Sequence, residues 1–217
     1  MQALAGQPPS FDEDFRAQLY ELFRWRRDVR RFRTEALAEG TLDRLIEAAC
    51  LAPSVGLSQP WRFVVVDDVS RRNAIIENFT QCNQAALEAL APAQAAHYAR
   101  LKLAGLREAP CHLAVFADEA TQLGHGLGRR TMPEAIHYSV VGAVCNLWLA
   151  ARVEGVGLGW ISILDPERVS ASLEVSPAWR LIGYLCLGYP EREDETPELQ
   201  REGWERRRAK ETFVTQR

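Results

Sequence analysis

One short stretch, RWRRDVRRFRTE at residues 24–35, holds the residues of this sequence that are best suited to chemistry. It places six arginines around a single aspartate, Asp28, although the whole chain of 217 residues has a net charge of −3. Planar guanidinium groups bind phosphate or carboxylate through paired hydrogen bonds. The stretch therefore predicts either a site for a small phosphorylated molecule or, as composition favours, surface ion pairs with tail acids such as Glu191, Asp194 and Glu195.

Asp28 also admits two interpretations. A carboxylate between arginines is most often an ion-pair partner, because nearby positive charge favours its ionised form. In a chemical role it would accept a hydrogen bond from a ligand, or act as a base after a phosphate has neutralised the neighbouring arginines. The residue types alone leave both interpretations open.

The bulk composition excludes several classes of function. With 29 acidic and 26 basic residues, the chain does not suit a general nucleic-acid or membrane-surface binder. Its five scattered cysteines include no CxxC pair and its four histidines lie at no metal-ligand spacing, so we predict reduced thiols, a cytoplasmic location and no metal site. Residues 1–10 are predicted to be loose and to carry no signal peptide, and the apolar stretch at 140–151 is too short to cross a bilayer.

Regular elements must hold the basic stretch in place. The spacing of apolar residues predicts an amphipathic helix over 11–25 and a second helix over 41–52, which Thr41 caps and Pro53 ends. The alanine-rich region 70–104 is predicted to be mostly helical and weakly anchored, which makes it a candidate mobile lid. Short apolar runs predict four strands, at 62–68, 112–117, 156–164 and 180–189.

A further helix, over 131–152, is predicted from the capping-box pattern of Thr131 and Glu134. It is apolar on nearly every side, with Cys145 expected to act as a small hydrophobic residue. We therefore expect the sheet to bury one side of this helix and a second subunit to bury the other. Helices and strands interspersed without regular alternation predict an α+β fold, in which helices flank a mostly antiparallel sheet.

The end of the chain differs in character from the rest. Charged residues dominate 190–217, where Trp204 and Phe213 are the only aromatic side chains. A segment of this kind does not build its own core, so it is either disordered or lies across a partner subunit. The chain therefore divides into a domain over 1–189 and a charged C-terminal arm over 190–217.

Three quoted stretches together resemble a known family: RRDVRRF at 26–32, LIEAACLAPSVGLSQPWRFVVVDD at 45–68 and GLGWISIL at 157–164. They are similar to the flavin-binding nitroreductase superfamily and, within it, to the BluB branch, the 5,6-dimethylbenzimidazole synthases. Ordinary nitroreductases usually carry a serine where this chain has Asp28, and that substitution selects the branch. The resemblance covers about residues 14–205.

The resemblance implies a nitroreductase-like mixed sheet in an intertwined homodimer, with FMN at the subunit interface. It implies that the arginines hold the phosphate and ribityl chain of FMN. One arginine within 206–208 could also reach the phosphate, and the sequence leaves open which of the three it is. The flavin contacts that it transfers to this chain are Arg26, Arg27, Asp28, Val29, Arg30, Ser54, Leu103 and Ser162.

The resemblance also implies an activity. Reduced FMN is the substrate, and dioxygen converts it to 5,6-dimethylbenzimidazole, the lower ligand of cobalamin, and erythrose 4-phosphate. Asp28 would transfer a proton, and Ser162 would hydrogen-bond the flavin or an intermediate, although a serine on a half-buried strand is commonly just a solvent-facing residue. The rival functions are an FMN-dependent NAD(P)H oxidoreductase and a non-catalytic flavin-binding protein. A lid over 81–104 that excluded nicotinamide would favour the synthase and require a separate flavin reductase.

Overall fold

The computed structural model describes residues 8–217, so most of the stretch predicted to be loose and to lack a signal peptide lies outside the described part. The helices are α1 Glu13–Trp25, α2 Thr41–Cys50, α3 Val69–Glu88, α4 Pro92–Tyr98, α5 Ala135–Val153, α6 Pro166–Leu173 and α7 Glu198–Arg201. The strands are β1 Trp61–Val65, β2 Cys111–Asp118, β3 Gly157–Ile161 and β4 Trp179–Gly188. Short 3₁₀ turns occur at Val55–Leu57, Leu123–Gly126 and Lys210–Phe213.

The four strands form one antiparallel sheet in the order β1-β2-β4-β3, and this confirms the α+β class. The sheet has a hydrophobic core on each face, because successive residues of a strand point to opposite sides of the sheet. Leu113 and Val115 of β2 face α5, whereas Ala114 and Phe116 face the side covered by α3 and α6. The parallel component expected of a mixed sheet is a single bridge between Asp28 and Leu158 at the β3 edge.

Helix α5 is the central helix of the fold. Seven of its residues are buried, which fits its position on the sheet. Among residues 8–217 it is the one helix whose length and hydropathy would suit a membrane span, so the apolar stretch is longer than predicted. Its outer face exposes Tyr138, Val141 and Cys145, which recur at helical spacing. Cys145 lies on the face that the expected second subunit would cover, so its burial stays a prediction.

Two predicted helix caps are wrong for the same physical reason. Helix α2 begins at Thr41 itself, because Gly40 precedes it with a φ of 74° and Thr41 is buried. Helix α5 begins at Ala135, and Glu134 occupies the cap position without a side-chain hydrogen bond. In both places the chain reaches the helix through a backbone turn, so the polar side chains are not needed as caps.

Strand β3 and helix α6 differ from the predicted elements. Strand β3 ends at Ile161, so Ser162 lies just beyond the strand on which it was predicted. The structure adds α6, whose N-terminus is capped by the Asp165 carboxylate accepting hydrogen bonds from the N–H groups of Glu167 and Arg168. These differences set where the residues expected to carry chemistry come to lie.

Candidate active site

The basic loop, residues 26–31, lies along the outer edge of β3, the last strand of the sheet. The Val29 N–H donates to the Leu158 carbonyl at 2.9 Å. This close approach needs glycine in the strand, because a Cβ placed on Gly159 would lie 2.2 Å from the Val29 carbonyl oxygen. The glycines of the GLGW motif therefore serve to seat the basic loop on the sheet.

Asp28 is held in one orientation by two hydrogen bonds. Its Oδ1 accepts the Trp160 N–H at 2.9 Å, and its Oδ2 accepts Arg30 Nε–H at 2.9 Å. The side chain is still 33% exposed, and an ionised carboxylate has lone pairs left over. The acid is thus fixed by the protein while one part of it can reach a ligand.

The outer arginines of the loop form the surface ion pairs that composition predicted. Arg24 pairs with Glu195 at 2.6 Å, and Arg31 lies 3.5 Å from Glu198. Both arginine side chains are about half exposed, so these pairs stabilise the fold only slightly. Arg33 pairs in the same way with its near neighbour Glu35.

Arg27 has a different role, because its guanidinium group donates its hydrogen bonds to main-chain carbonyls. It donates to the carbonyls of Arg24, Arg26, Asp194 and Glu195. These bonds fasten the start of the C-terminal arm to the basic loop. A contact between Arg27 and FMN stays a prediction.

Within the basic loop, Arg26 is the arginine whose side chain has no acceptor in the described part of the chain. Its guanidinium carbon lies 4.5 Å from the centroid of the Trp148 ring, and among residues 8–217 its side chain has no hydrogen-bond acceptor or carboxylate partner. Burial lowers the pKa of Arg26 below its usual range, Asp28 opposes this, and the neighbouring charge of Arg207 adds to it. A half-buried cation beside a second cation is stabilised by an anionic ligand, so this corner suits a phosphate.

One cavity brings these groups together. It is lined by residues of the basic loop and of the arm, among them Arg26, Asp28, Arg30, Glu198 and Arg207. The sequence alone does not show which arginine of the C-terminal arm could reach a phosphate, because the three arginines at 206–208 are adjacent and alike. The fold distinguishes them, since it places Arg207 beside the basic loop.

Ser54 lies away from this cavity in the single chain. Its Oγ accepts the Gln59 N–H at 3.0 Å, and the next residue, Val55, donates its N–H to Ser139 Oγ at 3.0 Å, near the start of α5. The basic loop meets the other end of α5, where Trp148 Nε1–H donates to the Arg27 carbonyl. Nine helical residues separate the two places by about 13 Å. One chain therefore does not bring Ser54 together with the basic loop.

Leu103 and Ser162 are each close in sequence to a residue that contacts the basic loop. The carbonyl of Lys102 accepts Arg30 Nη1–H at 3.1 Å, so half-buried Leu103 follows directly on a residue bound to the basic loop. Ser162 is exposed and stands two residues beyond Trp160, whose N–H binds Asp28. The contacts of both residues with a flavin stay predictions.

The alanine-rich region is held by the arm. Trp204 packs edge-on against His97 and Tyr98 of α4, with ring centroids 5.5 and 6.0 Å apart. His97 Nε2 also lies 2.8 Å from the carbonyl oxygen of Glu202. Trp204 is therefore an aromatic anchor, as its isolation in the sequence suggested, and in the single chain it contacts its own lid region.

Comparison with known proteins identifies the family. The family model described as Nitroreductase family matches residues 23–189, which include the basic loop and all four strands. The chain belongs to the nitroreductase family. Individual relatives indicate which branch of the family this nitroreductase-family protein resembles.

Two curated relatives share the name 5,6-dimethylbenzimidazole synthase. The protein of Rhodospirillum rubrum is 58% identical over 201 residues, covering 92% of this chain and 95% of that protein. The protein of Rhodobacter capsulatus is 45% identical over 196 residues, covering 90% and 95%. Among solved structures, iodotyrosine deiodinase bound to FMN and 3-iodo-L-tyrosine superimposes with a TM-score of 0.69 at 27% identity, covering 81% of this chain and 91% of that one. The nitroreductase-family fold and the synthase relatives thus agree with the resemblance carried by the motifs.

Proposed function

We propose that this protein is a 5,6-dimethylbenzimidazole synthase that fragments reduced FMN with dioxygen, giving 5,6-dimethylbenzimidazole and erythrose 4-phosphate and releasing the pyrimidine part of the flavin ring as a further product. The observation that carries the proposal is the fixed Asp28 carboxylate beside the unpaired, half-buried Arg26. In a protein that only binds an anionic ligand, a carboxylate held at that place would add little to the affinity, because like charges repel. The high identity to named synthases supports the same reaction.

The phosphate end of the substrate fits the arginine corner. Arg26 and Arg207 face one cavity, and the Trp148 ring holds the Arg26 guanidinium in place. A phosphate there would supply the negative charge that the two guanidinium groups lack. The ribityl chain then extends along the basic loop toward Asp28.

The chain's own residues orient the substrate and move a proton. Reduced FMN supplies the electrons that dioxygen accepts. Asp28 accepts a proton from the ribityl carbon next to the ring system, while the Trp160 N–H and Arg30 keep its carboxylate in place. Ser162, with a hydroxyl that both donates and accepts, holds the ring side of the substrate.

A homodimer would complete the site. The outer face of α5 is apolar and exposed, and α1 exposes Phe15, Tyr20 and Phe23. Pairing the α5 helices of two copies in antiparallel directions brings the Ser54 end of one copy to the basic-loop end of the other. We propose that FMN lies at this interface and that the arm over 190–217 extends toward the partner beyond Trp204.

The proposal also covers the source of the reduced flavin and the location of the protein in the cell. Reduced flavin would come from a separate reductase, because a site that closes over the flavin leaves no room for nicotinamide. The location would be the cytoplasm, since all five cysteines are free.

A single experiment tests the proposed function against its rivals. Purified protein is mixed with chemically reduced FMN and air, and the products are separated by chromatography. A benzimidazole supports the synthase, whereas NADPH-dependent turnover of bound flavin without benzimidazole supports an oxidoreductase. Tight flavin binding with neither outcome supports a binding protein.

Replacing Arg26 with methionine is expected to weaken FMN binding by about 10- to 100-fold, the effect of one charge-assisted hydrogen-bond partner worth about 1.5–3 kcal/mol. Methionine keeps much of the apolar stem that packs on Trp148. Fluorescence titration with FMN measures the change. Arg33→Gln, at an exposed ion pair, is the control, and equal affinities in both variants would contradict a phosphate site at Arg26.

Ser162→Ala removes one hydroxyl from an exposed residue that the described residues do not bond, so stability should stay within about 0.5 kcal/mol. Product formation from reduced FMN is expected to fall by at least about 10-fold, as for the loss of a positioned polar group. The matched control is Ser10→Ala, also exposed. Normal product yield from Ser162→Ala would remove this residue from the mechanism.

A further inference from the structure

Arg30 differs from the other paired arginines of the basic stretch in how deeply it is buried. Its side chain is 13% exposed, against 60%, 48% and 53% for Arg24, Arg31 and Arg33. A guanidinium at this depth makes a bond only where the fold puts an acceptor. The acceptors of Arg30 therefore indicate its structural role.

The two acceptors of Arg30 come from distant parts of the chain. Nε–H donates to Asp28 Oδ2 at 2.9 Å, and Nη1–H donates to the Lys102 carbonyl at 3.1 Å. One rigid, planar group thus joins the proposed proton acceptor to the segment that carries Leu103. Neither bond involves the arginine corner made by Arg26 and Arg207.

The segment over 101–109, which we name the cover segment, is itself firmly placed. Lys102 Nζ binds Glu108 Oε1 at 2.6 Å, and Leu106 is buried in the core. The cover segment also lies directly on the basic loop, because a Cβ on Gly105 would fall 3.1 Å from the Arg30 carbonyl oxygen. A shift of the cover segment would consequently move the acceptor of Arg30, the Lys102 carbonyl.

We propose that Arg30 is a positioning residue that locks the Asp28 carboxylate to the cover segment, so that substrate cover and proton acceptor take up their places together. This inference rests on the proposed function, and it replaces the expectation that Arg30 holds the FMN phosphate. The phosphate is left to Arg26 and Arg207, whose guanidinium groups lack acceptors among residues 8–217.

The proposal predicts a change in the fate of the substrate. Without the lock, Asp28 turns away from the ribityl carbon and the cover segment loosens, so dioxygen takes two electrons and two protons from reduced FMN. The products are then oxidised FMN and hydrogen peroxide, and no carbon bond breaks. Arg30 thus sets the partition between fragmentation and simple oxidation.

The test uses full-length Arg30→Gln and, as the matched control, Arg33→Gln from the same stretch. We measure the benzimidazole and the hydrogen peroxide formed per reduced FMN consumed, together with FMN affinity. Arg30→Gln is expected to lose at least about 10-fold in benzimidazole yield, to form hydrogen peroxide instead, and to bind FMN within about threefold of the wild type. Weaker FMN binding with an unchanged yield per bound flavin would overturn the proposal in favour of a phosphate ligand.

A second pair of variants guards against a folding defect. Arg30→Lys keeps the charge but cannot reach both acceptors, so an intermediate yield is expected, and a wild-type yield would contradict the lock. Arg30→Ala should regain yield when methylguanidinium is added, and a rescue of FMN affinity alone would also contradict it. If the wild type itself forms no benzimidazole, the proposed function fails, whereas a wild-type yield in Arg30→Gln overturns only this inference.

Discussion

Asp28→Asn is expected to bind FMN as tightly as the wild type and to lose benzimidazole formation by at least about 100-fold, the typical contribution of a positioned acid or base. Asparagine has the same shape and can still accept the Trp160 N–H through its amide oxygen. Its amide nitrogen then faces Arg30 Nε, and it cannot accept a proton. Binding is preserved because the change removes a negative charge from the neighbourhood of an anionic ligand.

The measurement is product yield from reduced FMN and air at saturating flavin. Asp43→Asn, in the exposed first turn of α2, is the control for the loss of one carboxylate. A wild-type yield from Asp28→Asn would show that this carboxylate is an ion-pair partner of the arginines and takes no part in the reaction.

Gly159→Ala is expected to have the second large effect, because it separates the basic loop from the sheet. The added Cβ would lie 2.2 Å from the Val29 carbonyl oxygen, a main-chain atom of the residue whose N–H donates to the Leu158 carbonyl. Overpacking of this kind costs about 1–3 kcal/mol, so the unfolding temperature should fall by several degrees. FMN affinity should fall with it, since Arg26 and Asp28 move with the loop.

Gly157→Ala provides a graded comparison for the same strand. Its Cβ would meet the Val29 side chain at 2.9 Å, and a side chain can turn away more easily than the main chain can move. Thermal unfolding and FMN titration should therefore show a clearly smaller effect than for Gly159→Ala. Equal effects of the two substitutions would contradict the role assigned to the contact between β3 and the basic loop.

The elements with a strong apolar pattern were predictable from the sequence. The four strands and helix α5 stand within a few residues of their predicted positions, because their patterns report which faces are buried. Helix α2 begins at Thr41 as predicted, but the caps were not predictable from Thr41 and Glu134, because a backbone turn precedes each helix and no side chain caps it.

The site was predictable only in part. The motifs identified Asp28 and the basic loop, but a row of similar arginines cannot say which guanidinium will find an acceptor in the fold. That outcome depends on distant carbonyls, such as that of Lys102 for Arg30 and that of Asp194 for Arg27. The separation of Ser54 from the loop likewise follows from their contacts with opposite ends of α5.

A crystal structure of the protein with FMN bound tests the central claim most directly. The account predicts the FMN phosphate at Arg26 and the Asp28 carboxylate within about 3.2 Å of the ribityl chain, the reach of a proton acceptor. A structure with the flavin bound and this carboxylate facing solvent, away from the ribityl chain, would contradict the account.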